Sequence, residues 1–143
     1  MTHTKNLIVG AGPAGLAVAG RLAKLNIPFE VIEKTDSVAS TWRNHYDRLH
    51  LHTAKDLSNL PHLEFPKDDP LYVPRENVVS YMDHYVENFK INPVFNEEVI
   101  SIKREKERWI TTTASNQKWE SENVIIATGF NRVPNIPSWP DMN

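Results

Sequence analysis

Residues 7–16 read LIVGAGPAGL, and this stretch decides the fold. An apolar run ends at Gly10, as expected of a strand buried in a parallel sheet, and a helical pattern begins directly after it. Gly10, Gly12 and Gly15 fit the pattern G-x-G-x-x-G, which makes a tight turn, lets the backbone approach a pyrophosphate and lets helix and strand pack closely. The helix amino terminus offers unpaired N–H groups to that anion. The stretch predicts a dinucleotide site; the alternative is a tight strand–helix corner without a ligand.

A second strand follows the helix and ends in an acidic residue. The helical pattern stops near Asn26 and Pro28, and residues 29–33 read FEVIE. This is a βαβ unit, so its two strands are expected to be parallel neighbours. Glu33 stands about 20 residues after the glycines, where a carboxylate accepts hydrogen bonds from both hydroxyls of an adenosine ribose and repels a 2′-phosphate. NAD and FAD are therefore both open as ligands. The alternative for Glu33 is a solvent-exposed carboxylate at a strand end.

The composition argues against several classes of protein. The net charge of −2 and a pI near 6.3 give no basic field for nucleic acid or an anionic membrane. The run of charges at residues 103–108 is mixed in sign and predicts a solvated hairpin turn. No apolar stretch reaches the ~18–20 residues of a membrane helix, and no signal peptide is recognisable. The absence of cysteine argues against a disulfide reductase and a thiolate zinc site. We expect a cytoplasmic protein of open oligomeric state.

The remaining residues predict an interrupted α/β fold. Residues 35–74 are irregular and rich in proline, but their aromatic and aliphatic side chains favour an ordered segment. A helix is predicted over about 75–90, with its aromatics in the core. Residues 97–113 with 118–120 suggest an antiparallel meander, and residues 124–127 a strand buried on both faces. We expect the strand at 5–10 to lie between those at 29–33 and 124–127, all parallel. Residues 130–143 indicate an extended linker.

Several motifs carry a resemblance to a known family. The strings GAGPAGL at 10–16, VIEK at 31–34 and IIATG at 125–129 resemble the two-dinucleotide-domain flavoproteins. Within that group, VASTWR at 38–43 and YDRLHLHTAK at 46–55 resemble the flavin-containing monooxygenases, especially the YUCCA-type enzymes and their bacterial relatives. The resemblance covers nearly all of residues 5–139. It implies a Rossmann-like FAD-binding domain, with residues 1–143 as its amino-terminal part and residues 130–143 leading toward an NADPH domain.

The resemblance implies a role for each matching position. Residues 10–15 face the pyrophosphate of FAD, Glu33 with Lys34 holds the adenosine ribose, and Val99 meets adenine through its backbone. Trp42 and Arg43 lie along the pyrophosphate and ribityl chain, and His52 lies near the isoalloxazine. The positions implied to contact the cofactor are Gly10, Gly12, Pro13, Ala14, Gly15, Glu33, Lys34, Trp42, Arg43, His52, Val99, Thr128 and Gly129. No catalytic residue is indicated.

The sequence also departs from the family pattern. Many relatives carry two glycines just before the tryptophan, where this chain has Ala39-Ser40-Thr41, and animal-type relatives carry asparagine at the position of His52. The 143 residues contain neither a second G-x-G-x-x-G for NADPH nor the family's carboxy-terminal FAD segment. His45, His50 and His52 offer only an H-x-H spacing, so no metal site is expected.

Two functions remain open at this point. The first is the FAD-binding portion of an NADPH-dependent flavin monooxygenase, which inserts one oxygen atom from O₂ into a small organic substrate. The second is a non-catalytic module that binds FAD or an adenine nucleotide. A small NAD-dependent dehydrogenase is disfavoured, because its halves alternate strand and helix without the long proline-rich stretch. The resemblance does not identify the substrate, and we expect residues 1–143 alone to be inactive.

Overall fold

The computed structural model describes residues 1–130, so the linker expected over 130–143 lies, apart from its first residue, outside the described residues. Its elements alternate strand and helix in the first half and end in three consecutive strands. They are β1 (Thr2–Val9), α1 (Pro13–Lys24), β2 (Glu30–Ile32), α2 (Ser40–Arg43), a 3₁₀ helix (Lys55–Leu57), α3 (Arg75–Asn88), β3 (Val99–Glu105), β4 (Arg108–Thr113) and β5 (Lys118–Ile126). No helix among residues 1–130 is long and apolar enough to cross a membrane.

The strands form one mixed sheet in the order β2-β1-β5-β4-β3. β1 pairs in parallel with both β2 and β5, so that Leu7 lies opposite Glu30 on one side and Val124 on the other. The sequence prediction of three parallel strands with the first in the middle is confirmed. β3 and β4 form the predicted antiparallel hairpin, with the charged residues Lys106 and Glu107 exposed at its turn.

β5 differs from the sequence prediction in two respects. The meander strand expected at 118–120 and the strand expected at 124–127 are one continuous strand, since no glycine or proline interrupts residues 118–126. It pairs with β4 only as far as Ser121 and with β1 as far as Ile126. Beyond Ser121 its second edge has no strand partner among residues 1–130. Val124 and Ile125 are therefore only half-buried and Ile126 is 67% exposed, so the expectation of a strand buried on both faces was wrong.

The two faces of the sheet pack against different layers. Ile8 lies in a cluster with Leu16 of α1 and Tyr85 of α3, which places both helices on one face. Its neighbours Leu7 and Val9 point to the other face and pack with residues that include Trp119. The Trp119 indole donates a hydrogen bond of 3.0 Å to Glu30 in β2, so the start of β5 is anchored on that second face.

Helix α3 confirms the prediction of a helix at 75–90 and shows why its aromatics matter. Its buried residues are Val78, Tyr81, Met82 and Tyr85, at the spacing of one helical face. Tyr85 packs directly on Gly20 of α1: a Cβ at that position would lie 1.9 Å from the tyrosine hydroxyl oxygen. Gly20 therefore sets how closely the two helices approach, and a larger residue there would separate them.

Residues 40–74, here called the connecting segment, are ordered, as their apolar content predicted. Side chains hold the segment in place. The Tyr81 hydroxyl accepts a hydrogen bond from the Leu60 amide and donates one to the Leu63 carbonyl, both at 2.7 Å. The Lys55 ammonium donates to the carbonyls of residues 66, 67 and 69 at 2.5–3.1 Å. Hydrogen bonds from the side chains of Tyr81 in α3 and of Lys55 thus hold the connecting segment in place, whereas strand pairing holds the strands of the sheet.

Candidate cofactor site

Two glycines of the loop between β1 and α1 are required by close backbone packing. Gly10 has φ +110°, and a Cβ there would lie 2.4 Å from the Ala127 carbonyl oxygen at the end of β5. A Cβ on Gly15 would lie 1.9 Å from the carbonyl oxygen of Gly10. Both distances are shorter than any van der Waals contact, and the opposing atoms are backbone. The loop can therefore take this shape only with glycine at both positions.

Gly12 is different, because space outside the protein surrounds it. A Cβ there would meet no heavy atom within 4 Å, and the extended conformation of Gly12 is one that any residue can adopt. Neither packing nor backbone conformation therefore requires glycine at this position. The amides of Gly12 and Ala14 have no hydrogen-bond partner within residues 1–130, and Pro13 and Ala14 are exposed. Free N–H groups at the positive end of a helix dipole suit an anion. The residues here fit a pyrophosphate, since glycine leaves open the space that a side chain would fill.

Glu33 lies at the end of β2 against this loop. It is 7% exposed, so the alternative of a solvent-exposed carboxylate is wrong. One carboxylate oxygen, Oε2, accepts the Ala11 N–H at 2.8 Å. The other, Oε1, accepts the Thr35 N–H at 3.0 Å and the Thr35 hydroxyl at 2.9 Å. Glu33 therefore connects the glycine loop to the segment that leaves β2, and three hydrogen bonds fix its position.

Residues 94–97 run beside Glu33 and lead into β3, which begins at Val99. The Glu33 N–H donates to the Val94 carbonyl, and its carbonyl accepts the Glu97 N–H, both at 2.9 Å. Val99 follows two residues later, half-buried and opposite Thr113 in the hairpin. Lys34 is exposed. The structure thus brings Glu33 and the start of β3 together at the carboxyl end of β2.

Thr128 and Gly129 leave the end of β5 next to Gly10. The Ala127 N–H donates to the Val9 carbonyl at 2.8 Å, and the Thr128 Cα lies 3.5 Å from the Cβ position of Gly10. Both Thr128 and Gly129 are exposed, and Gly129 has φ +73°. Thr128 is thus adjacent to the glycine loop, and its role and that of Gly129 in holding a cofactor stay predictions.

Trp42 and Arg43 lie on α2, which is attached to the glycine loop. Ala39, just before α2, donates its N–H to the Ala11 carbonyl at 3.0 Å. Arg43 donates from Nε to the Val38 carbonyl at 2.9 Å and pairs with Asp83 of α3. Trp42 is half-buried against the helical core. The Arg43 guanidinium is thus already paired within the protein, so any contact with a phosphate would be made alongside Asp83.

His52 lies in the connecting segment, is exposed and makes no side-chain hydrogen bond to residues 1–130. The resemblance places it near a flavin ring, and nothing in the described residues covers it. No group of three or more histidine, cysteine or acidic side chains among residues 1–130 could hold a metal ion.

Sequence reasoning missed two residues that shape this site. Thr35 binds the Glu33 carboxylate through both its N–H and its hydroxyl. A threonine two positions after a strand-end acid was a readable signal, because hydroxyl side chains form such local turns. Asp83, the partner of Arg43, lies 40 residues away, and no local pattern indicated it.

Comparison with known proteins agrees with this arrangement. Residues 7–143 match the sequence profile of the pyridine nucleotide-disulphide oxidoreductases. The chain belongs to this family. The matched residues include the glycine loop, Glu33 and the end of β5, which lie at the candidate site.

Curated relatives of this pyridine nucleotide-disulphide oxidoreductase chain include plant monooxygenases. The probable indole-3-pyruvate monooxygenase YUCCA1 of Arabidopsis thaliana is 36% identical over 137 residues, which are 94% of this chain and 33% of the relative. The rice indole-3-pyruvate monooxygenase YUCCA1 is 37% identical over 139 residues, or 95% of this chain and 34% of the relative. The chain spans about a third of the length of these curated relatives.

Solved structures share the fold. A flavin monooxygenase from Stenotrophomonas maltophilia superposes with a TM-score of 0.89 at 20% identity, over 99% of this chain and 43% of that one. A bacillithiol disulfide reductase from Staphylococcus aureus superposes with a TM-score of 0.83 at 23% identity, over 90% and 39% of the two chains. The fold is therefore common to monooxygenases and reductases, and it does not by itself distinguish between the two activities.

Proposed function

We propose that this chain is the FAD-binding portion of an NADPH-dependent flavin monooxygenase that inserts one oxygen atom from O₂ into a small organic substrate. The observation that carries the binding part is the open space at Gly12 beside unpaired amides and the Glu33 carboxylate. The curated relatives are named monooxygenases, which supports that activity over a reductase. The absence of cysteine from the chain points the same way.

In this proposal the chain's own residues bind and orient the cofactor. The amides at the start of α1 hold the pyrophosphate, with Gly10 and Gly15 fixing the loop, and Glu33 with Lys34 holds the adenosine ribose. Val99 bounds adenine, and Trp42, Arg43, His52, Thr128 and Gly129 line the path toward the flavin ring. FAD, when bound, supplies the redox chemistry, and the protein supplies binding and orientation.

A titration with FAD and ADP tests the binding part. Gly12→Ala adds a methyl group that meets nothing in the protein, so the variant is expected to fold and to bind both ligands at least about 10-fold more weakly than the parent. Lys24→Ala, at the exposed far end of the same helix, is the matched control and should bind like the parent. Unchanged affinity in Gly12→Ala would mean that no pyrophosphate lies on the loop.

The proposed oxygen insertion is the activity of the longer curated relatives, of which this chain spans about a third. We expect the 143 residues, loaded with FAD, not to consume NADPH, because they contain a single G-x-G-x-x-G motif. Steady NADPH oxidation by the purified chain would contradict this. The competing function is a module that binds FAD or an adenine nucleotide without turnover. The named substrate of the relatives, indole-3-pyruvate, supports a small organic molecule as the substrate. A cytoplasmic location stays a prediction that cell fractionation tests.

A further inference from the structure

The hydrogen bonds of Glu33 limit how it can hold a ribose. A carboxylate offers about four acceptor positions on its two oxygens. Oε1 is filled by the N–H and the hydroxyl of Thr35, and Oε2 has accepted the Ala11 N–H. One position on Oε2 is therefore open. An adenosine ribose brings two adjacent hydroxyl donors, so one of them needs a position that is already occupied.

Only one of the three existing bonds can be released without moving the backbone. The amides of Ala11 and Thr35 are fixed by the chain, and Ala11 in addition accepts the Ala39 N–H through its carbonyl at 3.0 Å. The Thr35 hydroxyl can rotate, and it has a second acceptor ready. Its oxygen lies 2.9 Å from Glu33 Oε1 and 3.1 Å from the carbonyl oxygen of Ser37.

We infer that the Thr35 hydroxyl occupies an acceptor position on Glu33 in the free protein and gives it up to a ribose hydroxyl when adenosine binds. On release, the Thr35 proton turns to the Ser37 carbonyl, so the threonine hydroxyl has an acceptor in both states. Thr35 is thus a residue that sets specificity for the ribose diol. This inference rests on the proposed binding of an adenine dinucleotide.

Removing the Thr35 hydroxyl should change how strongly the site distinguishes a ribose with both hydroxyls from a deoxyribose. In the parent, a ligand that lacks the exchanged ribose hydroxyl loses little, because Thr35 returns to Glu33. In Thr35→Val nothing can return, and the same ligand leaves a buried carboxylate acceptor unfilled. Discrimination between ADP and its deoxy analogue should therefore increase when the threonine hydroxyl is removed. If Thr35 merely held Glu33 in place, discrimination would fall.

The experiment measures dissociation constants of ADP, 2′-deoxy-ADP and 3′-deoxy-ADP for the 143-residue parent, Thr35→Val and Thr35→Ser. For one of the two analogues, the ratio to ADP should be within about threefold in the parent and should rise by about fivefold or more in Thr35→Val. Thr35→Ser keeps a hydroxyl and should match the parent. A ratio that is unchanged or lower in Thr35→Val for both analogues overturns the inference.

Two further outcomes keep the test decisive. If the parent binds none of the three nucleotides, both the proposed function and this inference fail, whereas binding without the change in ratio overturns the inference alone. If Thr35→Val does not fold, a structure of the parent with ADP decides. A ribose oxygen should replace the Thr35 hydroxyl at Glu33 Oε1, with the Thr35 hydroxyl on the Ser37 carbonyl. A Thr35 hydroxyl still on Glu33 beside both ribose hydroxyls would refute the exchange.

Discussion

Residues 7–39 and the connecting segment, residues 40–74, are neighbours that are held in place by different kinds of bonds. The first region is held by backbone: β1 pairs with strands on both sides, the Gly10 N–H donates to Ile32 and the Ala39 N–H donates to Ala11. The second belongs to no strand of the sheet and has one isolated bridge, between His50 and Pro74. Its backbone hydrogen bonds, such as that from the Leu51 N–H to the Val73 carbonyl, are largely internal, and the side chains of Lys55 and Tyr81 add the bonds that hold it in place.

The difference extends to the surface of each region. Glu33 is buried and bonded to the glycine loop, and the loop leaves open space at Gly12. The connecting segment exposes large apolar side chains, Leu57 at 84% and Tyr46, Leu71 and Tyr72 at more than half. Glu33, proposed to hold the adenosine ribose, is therefore buried and fixed by hydrogen bonds, whereas His52, proposed to lie near the flavin ring, is exposed. Binding by this chain should depend mainly on the first region.

The largest effect is expected where backbone packs on backbone. Gly15→Ala should lower the free energy of unfolding by more than about 4 kcal/mol or prevent folding, because the new Cβ would lie 1.9 Å from the Gly10 carbonyl oxygen. In a helix, alanine is normally more stable than glycine by about 1 kcal/mol. A decrease in the free energy of unfolding of Gly15→Ala would therefore report the clash rather than helix propensity. Urea denaturation followed by circular dichroism measures it. Gly12→Ala is the control, within about 1 kcal/mol of the parent. A Gly15→Ala midpoint equal to that of the parent would mean that α1 can shift on β1.

The connecting segment should respond to the loss of one side chain. Lys55→Met removes a cation that donates to three carbonyls, and we expect a loss of about 1.5–3 kcal/mol. Hydrogen exchange should show faster opening of residues 66–71 with β1 and β2 unaffected. Lys67→Met, an exposed lysine in the same stretch whose side chain makes no hydrogen bond to residues 1–130, should stay within about 0.5 kcal/mol of the parent. Equal effects of the two variants would show that the three bonds contribute nothing.

The same contrast explains what the sequence could predict. β1, the glycine turn, α1 and α3 follow from local patterns of apolar residues and glycine, and all four were predicted near their observed positions. The Arg43–Asp83 pair and the bonds of Lys55 join residues 11–40 positions apart, and no periodicity encodes them. β5 was divided in two because Ser121 and Asn123 interrupt its apolar pattern. Asn123 donates a side-chain hydrogen bond to Asn6 at 3.1 Å, and Ser121 is fully buried where β5 pairs with both β1 and β4.

High pH should weaken the contact between the two regions. Burial raises the pKa of Tyr85 to about 12, and the nearby Tyr81 adds to this increase. Burial also raises the pKa of Tyr81, although the hydrogen bond from the Leu60 N–H lowers it in part. The protonated Tyr85 hydroxyl donates to the Pro61 carbonyl at 2.9 Å. Because its folded pKa lies above the unfolded value of 10.0, this stability is fully present below pH 10 and is lost as the pH rises from 10 to 12.

Spectroscopic titration checks this prediction. Tyrosinate absorbance should show a late phase near pH 12 that coincides with a loss of circular dichroism, and Tyr85→Phe should remove part of that phase. At neutral pH the same variant should lose only about 1 kcal/mol, the value of one neutral hydrogen bond. A late phase of equal size in Tyr85→Phe would assign the shifted pKa to another tyrosine.

The smallest effect is expected at the junction of the two regions, where the sequence departs from the family pattern. Ala39 precedes α2 in the left-handed conformation, with φ 56°, and is 1% exposed. That conformation disfavours an L-residue by roughly 1–2 kcal/mol. Ala39→Gly relieves this, but it also removes a buried methyl group worth about 0.8 kcal/mol and adds unfolded-state entropy worth about 0.4–1 kcal/mol. The opposing effects nearly cancel, so stability should stay within about 0.5 kcal/mol of the parent.

Ala19→Gly provides the matched comparison, since Ala19 is equally buried but helical. Here nothing is relieved, and the lost methyl group adds to the helix penalty of glycine, giving a loss of about 1.5–2 kcal/mol. Urea midpoints of the two variants measure the difference directly. If Ala39→Gly destabilises the protein as much as Ala19→Gly, the left-handed turn carries no strain. The alanine would then stabilise this position by about 1.5–2 kcal/mol relative to glycine, as it does in a helix.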